Sequence, residues 1–239
     1  MQLSSAAQTD IGLIRSENED RLLCDDELRI YAVADGIGGL PGGAEAAATA
    51  ITRLLQEAQA AGKALNLAHA FDSVNEEVLR LSAKLAPDTG LGTTLCALTI
   101  TQNDKQLHLA NVGDSRCYLF REGRLQQLTE DDTMENEVLR RRANGEDVVL
   151  EARYRNALTR CIGQPMPLHV QVSRHALQSG DQLLICSDGI SRQIDDTGIV
   201  RRLSADLAPA AVLAALIADS LIAGGLDNAT GVLVRIDGI

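Results

Sequence analysis

The chain has 239 residues, 45% of them hydrophobic, enough to bury a sizeable core, and only 2% aromatic, so that core must be built from Ala, Leu, Ile and Val. Its net charge of −11, from 33 acidic and 22 basic residues, argues against nucleic acid or an anionic membrane as an electrostatic partner. Five cysteines without a C-x-x-C pair read as free thiols of a reducing compartment. The N-terminus has no basic and apolar leader pattern and no run reaches membrane-spanning length, so a cytoplasmic protein is expected.

In chain order, Arg29 to Ala34 is an apolar, strand-like run. Ala44 to Ala61 places Ile51, Leu54, Leu55 and Ala58 on one face and stops at Gly62, which predicts a helix. Leu67 to Ala86 repeats the pattern with Phe71, Val74, Val78, Leu81 and Leu85. Thr93 to Thr101 and Gln106 to Val112 read as strands joined by a turn at Gln102-Asn103-Asp104-Lys105. Cys117 to Arg121 and Leu125 to Leu128 flank Glu122-Gly123 as a hairpin. His169 to His175, Gln182 to Ser187 and Val232 to Ile236 read as further strands. Pro209 to Ala223 reads as a third long helix, ended by Gly224-Gly225. Runs of strands and runs of helices, rather than alternating βαβ units, predict an α+β fold of antiparallel sheets with helices packed outside. No repeat or linker divides the chain, so one domain over 1–239 is expected, and no P-loop or dinucleotide fingerprint is present.

Two Asp-Gly pairs and one Asp-Asn stand at the edges of these apolar runs: Asp35-Gly36, Asp188-Gly189 and Asp227-Asn228. An aspartate at a strand end can aim its carboxylate at a cation while the neighbouring backbone comes close. With the acidic group at Glu17-Asn18-Glu19-Asp20 these residues make an all-oxygen set suited to hard divalent ions. One such dipeptide alone is better read as a turn; the set in order favours the metal site. The four histidines, His69, His108, His169 and His175, fit none of these groups and are read as structural or surface residues.

The ordered segments Thr9-Asp10-Ile11-Gly12-Leu13-Ile14-Arg15-Ser16-Glu17-Asn18-Glu19-Asp20, Val33-Ala34-Asp35-Gly36-Ile37-Gly38-Gly39, Gly92-Thr93-Thr94-Leu95, Asn111-Val112-Gly113-Asp114-Ser115-Arg116, Leu128-Thr129-Glu130-Asp131, Leu158-Thr159-Arg160, Ser187-Asp188-Gly189 and Asp227-Asn228-Ala229-Thr230 resemble those of the protein phosphatase 2C family, the metal-dependent Ser/Thr phosphatases, in their bacterial form. The resemblance implies an αββα sandwich of two antiparallel sheets. It implies hydrolysis of phosphoserine and phosphothreonine on proteins with Mn²⁺ or Mg²⁺. Two core ions are implied, Asp35 bridging them and the Gly36 carbonyl completing one. Asp188 and Asp227 would hold the other, and Glu19 and Asp20 would bind directly or through water. A water activated by two such ions attacks phosphorus in line, and Arg15 grips the phosphate oxygens with its planar fork. Phosphorylated proteins are the implied partners, with a Hanks-type kinase as natural counterpart; a monomer is expected.

Several positions depart from the family. Ile37 stands where animal members carry a His, and Leu40 and Ala44 replace a His and a Glu common in bacterial relatives. Asp131-Asp132-Thr133 replaces Asp-His-Ser. Asp131 matches a third-metal aspartate by position, whereas Arg192 stands where an acidic residue follows Asp188-Gly189 in many relatives. A cation there weakens a third site or contacts phosphate instead. Asp114-Ser115-Arg116 reads first as a turn, and Thr93 and Thr94 as packing residues. Thr133 to Asn156 reads as a flap whose Arg140-Arg141-Arg142, Arg153 and Arg155 either complement a helix end or steer an acidic substrate. Three rivals stay open: a phosphoprotein-binding module of the same fold without turnover, a structural Ca²⁺ protein and a hydrolase of small phosphomonoesters.

Overall fold

The computed structural model describes residues 1–38, 42–101, 103 and 105–239, with Lys63 described by its backbone. Leu40, Gly39 and two residues of the expected 102–105 turn lie outside the described residues. The chain opens with β1 (Gln2–Asp10), β2 (Asp20–Asp25) and β3 (Ile30–Asp35). Two long helices follow, α1 (Gly43–Ala61) and α2 (Leu67–Leu85). A meander of β4 (Leu95–Thr101), β5 (Gln106–Val112), β6 (Arg116–Arg121) and β7 (Arg124–Gln127) leads to α3 (Met134–Ala143). Strands β8 (Gln171–Ala176) and β9 (Gln182–Cys186) precede α4 (Asp188–Ser191), α5 (Asp196–Leu203), α6 (Pro209–Ile222) and β10 (Ala229–Gly238).

The strands form two antiparallel five-stranded sheets, ordered β1-β10-β9-β6-β7 and β2-β3-β4-β5-β8. The inner strands β3, β4, β9 and β10 are apolar almost without alternation because both faces are buried, whereas the edge strands β1, β7 and β8 are largely polar. In β9, Leu183 and Ile185 point to the facing sheet, while Leu184 and Cys186 point to α5 and α6. The centre of the sandwich joins Tyr31, Val33, Cys96, Leu98 and Leu107 to Cys117, Ile185, Val232 and Val234. On the outer face of the second sheet, Ala32, Ala34, Leu95 and Ala97 pack against Leu54 of α1 and Phe71, Val74 and Val78 of α2. Small alanines on the strands leave room for large side chains from the helices, so two layers interlock with few aromatics. Each such fully buried Leu, Val or Phe contributes roughly 1.5–3 kcal/mol. The order helix, sheet, sheet, helix is the αββα sandwich.

Local chemistry accounts for the element ends. Glu122 (φ 50°) and Gly123 (φ 77°) both take the left-handed region that a two-residue hairpin turn needs, so β6 and β7 pair with Arg121 opposite Arg124. Asn66 caps α2 by accepting from the His69 amide at 3.3 Å. The helical stripe of α2 ends earlier than its pattern predicts, since Leu85 is 55% exposed. Strands β1 and β2 and helices α4 and α5 were not expected. Strand β1 has one large apolar residue, Leu3, in nine, and it forms as an edge strand along β10, from Leu3 opposite Ile236 to Asp10 opposite Ala229.

Candidate metal centre

The carboxylates converge where the ends of four strands meet. Strands β2 and β3 run antiparallel with Asp20 directly opposite Asp35, the first residue of one and the last of the other. At the end of β9 the chain turns into α4 at Ser187-Asp188, and Asp227 lies just before β10. The Ser187 hydroxyl donates to Asp20 Oδ2 at 2.8 Å, linking the two sheets, and accepts from the Thr230 amide at 3.0 Å. Asp20 is 2% exposed and its Oδ1 is buried without a hydrogen-bond partner.

These groups repel one another. Burial pushes the Asp20 carboxyl up to about 7; hydrogen bonds from Thr230 and Ser187 work against that, and the charges of Asp188 and Asp227 add to it. Burial likewise holds Asp35 well above the ordinary carboxylate range, reinforced by Asp20, Asp188, Asp114 and Asp227. Asp188 is raised by burial too, though Arg192 and a hydrogen bond with Asp35 oppose the rise. A cluster of this kind retains protons until a cation replaces them.

The backbone around it is fixed closely. Thr94 Oγ1 accepts from the Asp35 amide at 3.0 Å, and the Thr93 hydroxyl and Thr94 amide both donate to the Asp35 carbonyl at 2.8 Å. These threonines, read from sequence as packing residues, clamp the strand end that carries Asp35. Gly36 lies against the first turn of α1, where a Cβ would collide with the Gly43 carbonyl. Gly189 lies against the Asn228 carbonyl, and a Cβ there would stand 1.9 Å from that oxygen, far inside contact distance. Asn228 is 4% exposed and joins three segments: it accepts from the Glu19 amide at 2.8 Å and donates to the carbonyls of Ile11 (2.9 Å) and Glu17 (3.0 Å). No role was read for Asn228 in sequence beyond its place after Asp227.

Glu19 and Arg15 stand at the mouth. The Glu19 carboxylate lies against Gly43 at the start of α1; burial raises it and Arg15 lowers it. Arg15 lies over Gly38 and donates from Nη2 to Asp227 Oδ2 at 2.6 Å, both side chains about one-third exposed. Arg192, at the end of α4, binds two carboxylates: Nη1 reaches Asp188 Oδ2 at 2.9 Å and Nη2 pairs with Asp114 Oδ2.

This changes the reading of Asp131 and Asp114. Asp131 was expected to serve as a third metal ligand, but its carboxylate is held by Arg116 Nε (2.9 and 3.1 Å) and Nη2 (2.7 Å) and by Gln127 at 3.0 Å. The carboxylate beside Asp188 is that of Asp114, in the segment read as a turn. It is 5% exposed, and burial with the Asp188 charge lifts it to about 7 against the pull of Arg192. Asp132 holds that turn from behind: it accepts from the Gly113 amide at 3.1 Å and pairs with Arg160 at 3.0 Å.

The flap arginines are occupied. Arg140 pairs with Glu130 and Glu137, Arg141 with Glu146, Arg153 with Glu151 and Arg155 with Glu135, while Arg142 donates to the Val148 carbonyl. That arrangement suits internal neutralisation better than a basic stripe for substrate. Ile37 contributes its amide to Gly92 and no acidic group. The histidines belong to α2, β5, β8 and the segment before β8, outside the carboxylate cluster.

Among the described residues no three or more His, Cys, Asp or Glu side chains stand close enough to hold an ion as they are. The guanidinium groups of Arg15 and Arg192 lie on Asp227 and Asp188 instead. Even so the residues fit divalent ions. The donors are all oxygen, the carboxyls are desolvated and mutually repelling, and Asp20 Oδ1 is a buried acceptor with nothing to accept from.

A family model described as Protein phosphatase 2C matches residues 15–227. The chain is 33% identical over 241 residues to the serine/threonine phosphatase Stp of Listeria monocytogenes, covering 96% of this chain and 94% of that protein. The solved structure of PppA, described as a key regulatory component of T6SS in Pseudomonas aeruginosa, superimposes with a TM-score of 0.84 at 28% identity, covering 98% of both chains. The catalytic domain of the serine threonine protein phosphatase PstP, solved in complex with 2 manganese ions, superimposes with a TM-score of 0.81 at 31% identity over 98% of this chain and 97% of that one.

Proposed function

The chain belongs to the protein phosphatase 2C family, and we propose on that premise that Asp20, Asp35, Asp188 and Asp227 hold its two divalent ions, with Glu19 and the Gly36 carbonyl completing the oxygen shell. It is a metal-dependent protein Ser/Thr phosphatase, removing phosphate from phosphoserine and phosphothreonine with Mn²⁺ or Mg²⁺. The observation that carries the residue assignment is the direct opposition of Asp20 and Asp35, with one buried oxygen of Asp20 left without a partner. Two like charges in that position are costly unless something positive lies between them.

When bound, such ions supply a water ionised near neutral pH and positive charge for the phosphate oxygens. The protein's own groups do the rest. Asp35 is aimed by the Thr93 and Thr94 hydrogen bonds on its backbone, and Ser187 fixes Asp20 while Asn228 fixes the loop that carries Glu19. Arg15 exchanges the Asp227 carboxylate for the phosphate of the substrate, a bidentate match that its fork is shaped for. Ile37 offers no proton, so solvent protonates the leaving serine or threonine oxygen.

The substrates are phosphoproteins. We assign the opposing enzyme to the Hanks-type Ser/Thr kinases and the site of action to the cytoplasm, with one catalytic domain acting as a monomer. Among the described residues no helix is long and apolar enough to cross a membrane. A binding module without turnover is the second reading, kept by Arg192 and Asp132. The presence of Asp35, Asp188 and Asp227 together in one cluster favours turnover. Phosphate release from a phosphothreonine peptide, with Mn²⁺, with EDTA and beside Asp35→Ala, separates the two. Turnover that needs Mn²⁺ and Asp35 supports catalysis; tight binding of the peptide without release supports the module.

A further inference from the structure

Two buried carboxylates on different segments share a single guanidinium at this centre. Asp114 comes from the β5–β6 connection and Asp188 from the first residue of α4. Arg192 gives one Nη to each. Asp114 is 5% exposed and the Asp188 side chain 15%. Two anions so poorly hydrated and so close do not remain charged without a counter-charge, which must be a proton, a metal ion or a cationic side chain. Here it is a cationic side chain on the same short helix as one of the anions. Arg192 follows Asp188 by one helical turn, and its amide donates to the Asp188 carbonyl at 2.8 Å. The counter-charge is therefore covalently supplied and its occupancy does not depend on the concentration of any ion.

We propose that Arg192 is a tethered cation that fills the position where Asp114 and Asp188 would otherwise share an additional divalent ion, so that this phosphatase loads two ions and not three. The inference rests on the two-ion reading of Asp35, Asp188 and Asp227. Arg192 acts as a positioning residue. One Nη holds Asp188 Oδ2, while the second anchors α4 to the β5–β6 connection through Asp114. Asp131 does not restore the site, because Arg116 and Gln127 hold it.

The test is the number of manganese ions bound per chain, measured by equilibrium dialysis and metal analysis on the intact protein. Wild type and Arg192→Lys, which keeps the charge, are expected to saturate at two. Arg192→Asp and Arg192→Ala are expected to take up a third at higher Mn²⁺, seen as an added step in a calorimetric titration. Circular dichroism melting with and without Mn²⁺ shows which variants are folded. Using both Asp and Ala keeps the test decisive if one fails to fold. Three ions on the wild type would overturn the inference and leave the two-ion reading standing. So would two ions on a folded Arg192→Asp or Arg192→Ala. A wild type that binds no manganese would instead overturn the two-ion reading, and the inference with it.

Discussion

Asp20 and Asp35 face each other directly across the β2–β3 pair. Opposed like charges weaken an antiparallel pair, and this pair is largely desolvated as well. The fold therefore carries a local instability that only protons or cations relieve.

Its pH dependence follows in sign. The Asp20 carboxyl titrates near 7 in the folded chain and near 3.8 when exposed, so the folded state binds the extra proton between those values. Metal-free protein is thus expected to lose stability as pH rises from about 4 to about 7 and to level off above. The ceiling is about 4 kcal/mol for one such group, shared among coupled carboxyls. Added Mn²⁺ at pH 8 should raise Tm by several degrees. Denaturant melts in EDTA at pH 5 and pH 8 check this; equal midpoints, with no response to Mn²⁺, would mean that the carboxyls are not in repulsion.

Replacing Asp35 with Asn separates function from stability. Turnover should fall by on the order of 10³-fold or more, beyond the loss of a single hydrogen-bond donor. In EDTA the same variant should be as stable as wild type or more so, because one of the opposed charges is gone. Near-normal phosphate release by Asp35→Asn would remove Asp35 from the centre.

Arg15 gives a different kinetic signature. Its guanidinium pairs with Asp227, and a charged hydrogen bond contributes roughly 1.5–3 kcal/mol. Arg15→Ala should raise KM for a phosphopeptide at least about tenfold, that free energy expressed as a ratio, with kcat changed much less. The freed Asp227 should lower the Mn²⁺ concentration needed for half-maximal activity. A fall in kcat at unchanged KM would place Arg15 in the chemistry rather than in binding.

Much of this centre was legible before any coordinates. Asp35, Asp188 and Asp227 announce themselves because each ends or precedes a run of buried strand residues, and a small or amide neighbour marks the turn. What sequence hid is long-range. Strand β1 has little apolar signal because its order comes from backbone pairing with β10, and β2 is masked by the acidic residues at its ends. Asp114 looked like an ordinary turn residue after Gly113. Only the approach of α4, with Arg192, turns it into a buried partner of Asp188. The ion pair that holds Asp131 was hidden for the matching reason: Gln127 is near in the chain, but Arg116 comes from β6. Thr93 and Thr94 show β-branched strand chemistry, and their bonds to Asp35 become visible only once β3 and β4 are paired.

Gly189 tests how tightly the two halves of the centre are set. The chain passes the Asn228 carbonyl so closely that no Cβ fits, and Ser220 donates to the Gly189 carbonyl from the other side. Neither neighbour yields easily. Asn228 is held by Ile11, Glu17 and Glu19 through its own side chain, and Ser220 is fully buried within α6. Gly189→Ala must therefore push Asp188 away from Asp227. Overpacking of this kind costs roughly 1–3 kcal/mol, to be read as a lowered denaturant midpoint. The displaced carboxylate should appear separately, as weaker Mn²⁺ binding in calorimetry at a temperature where the variant is still folded. A variant that loses stability but binds Mn²⁺ as wild type does would show that Asp188 can move without consequence, and that the close contact serves packing alone.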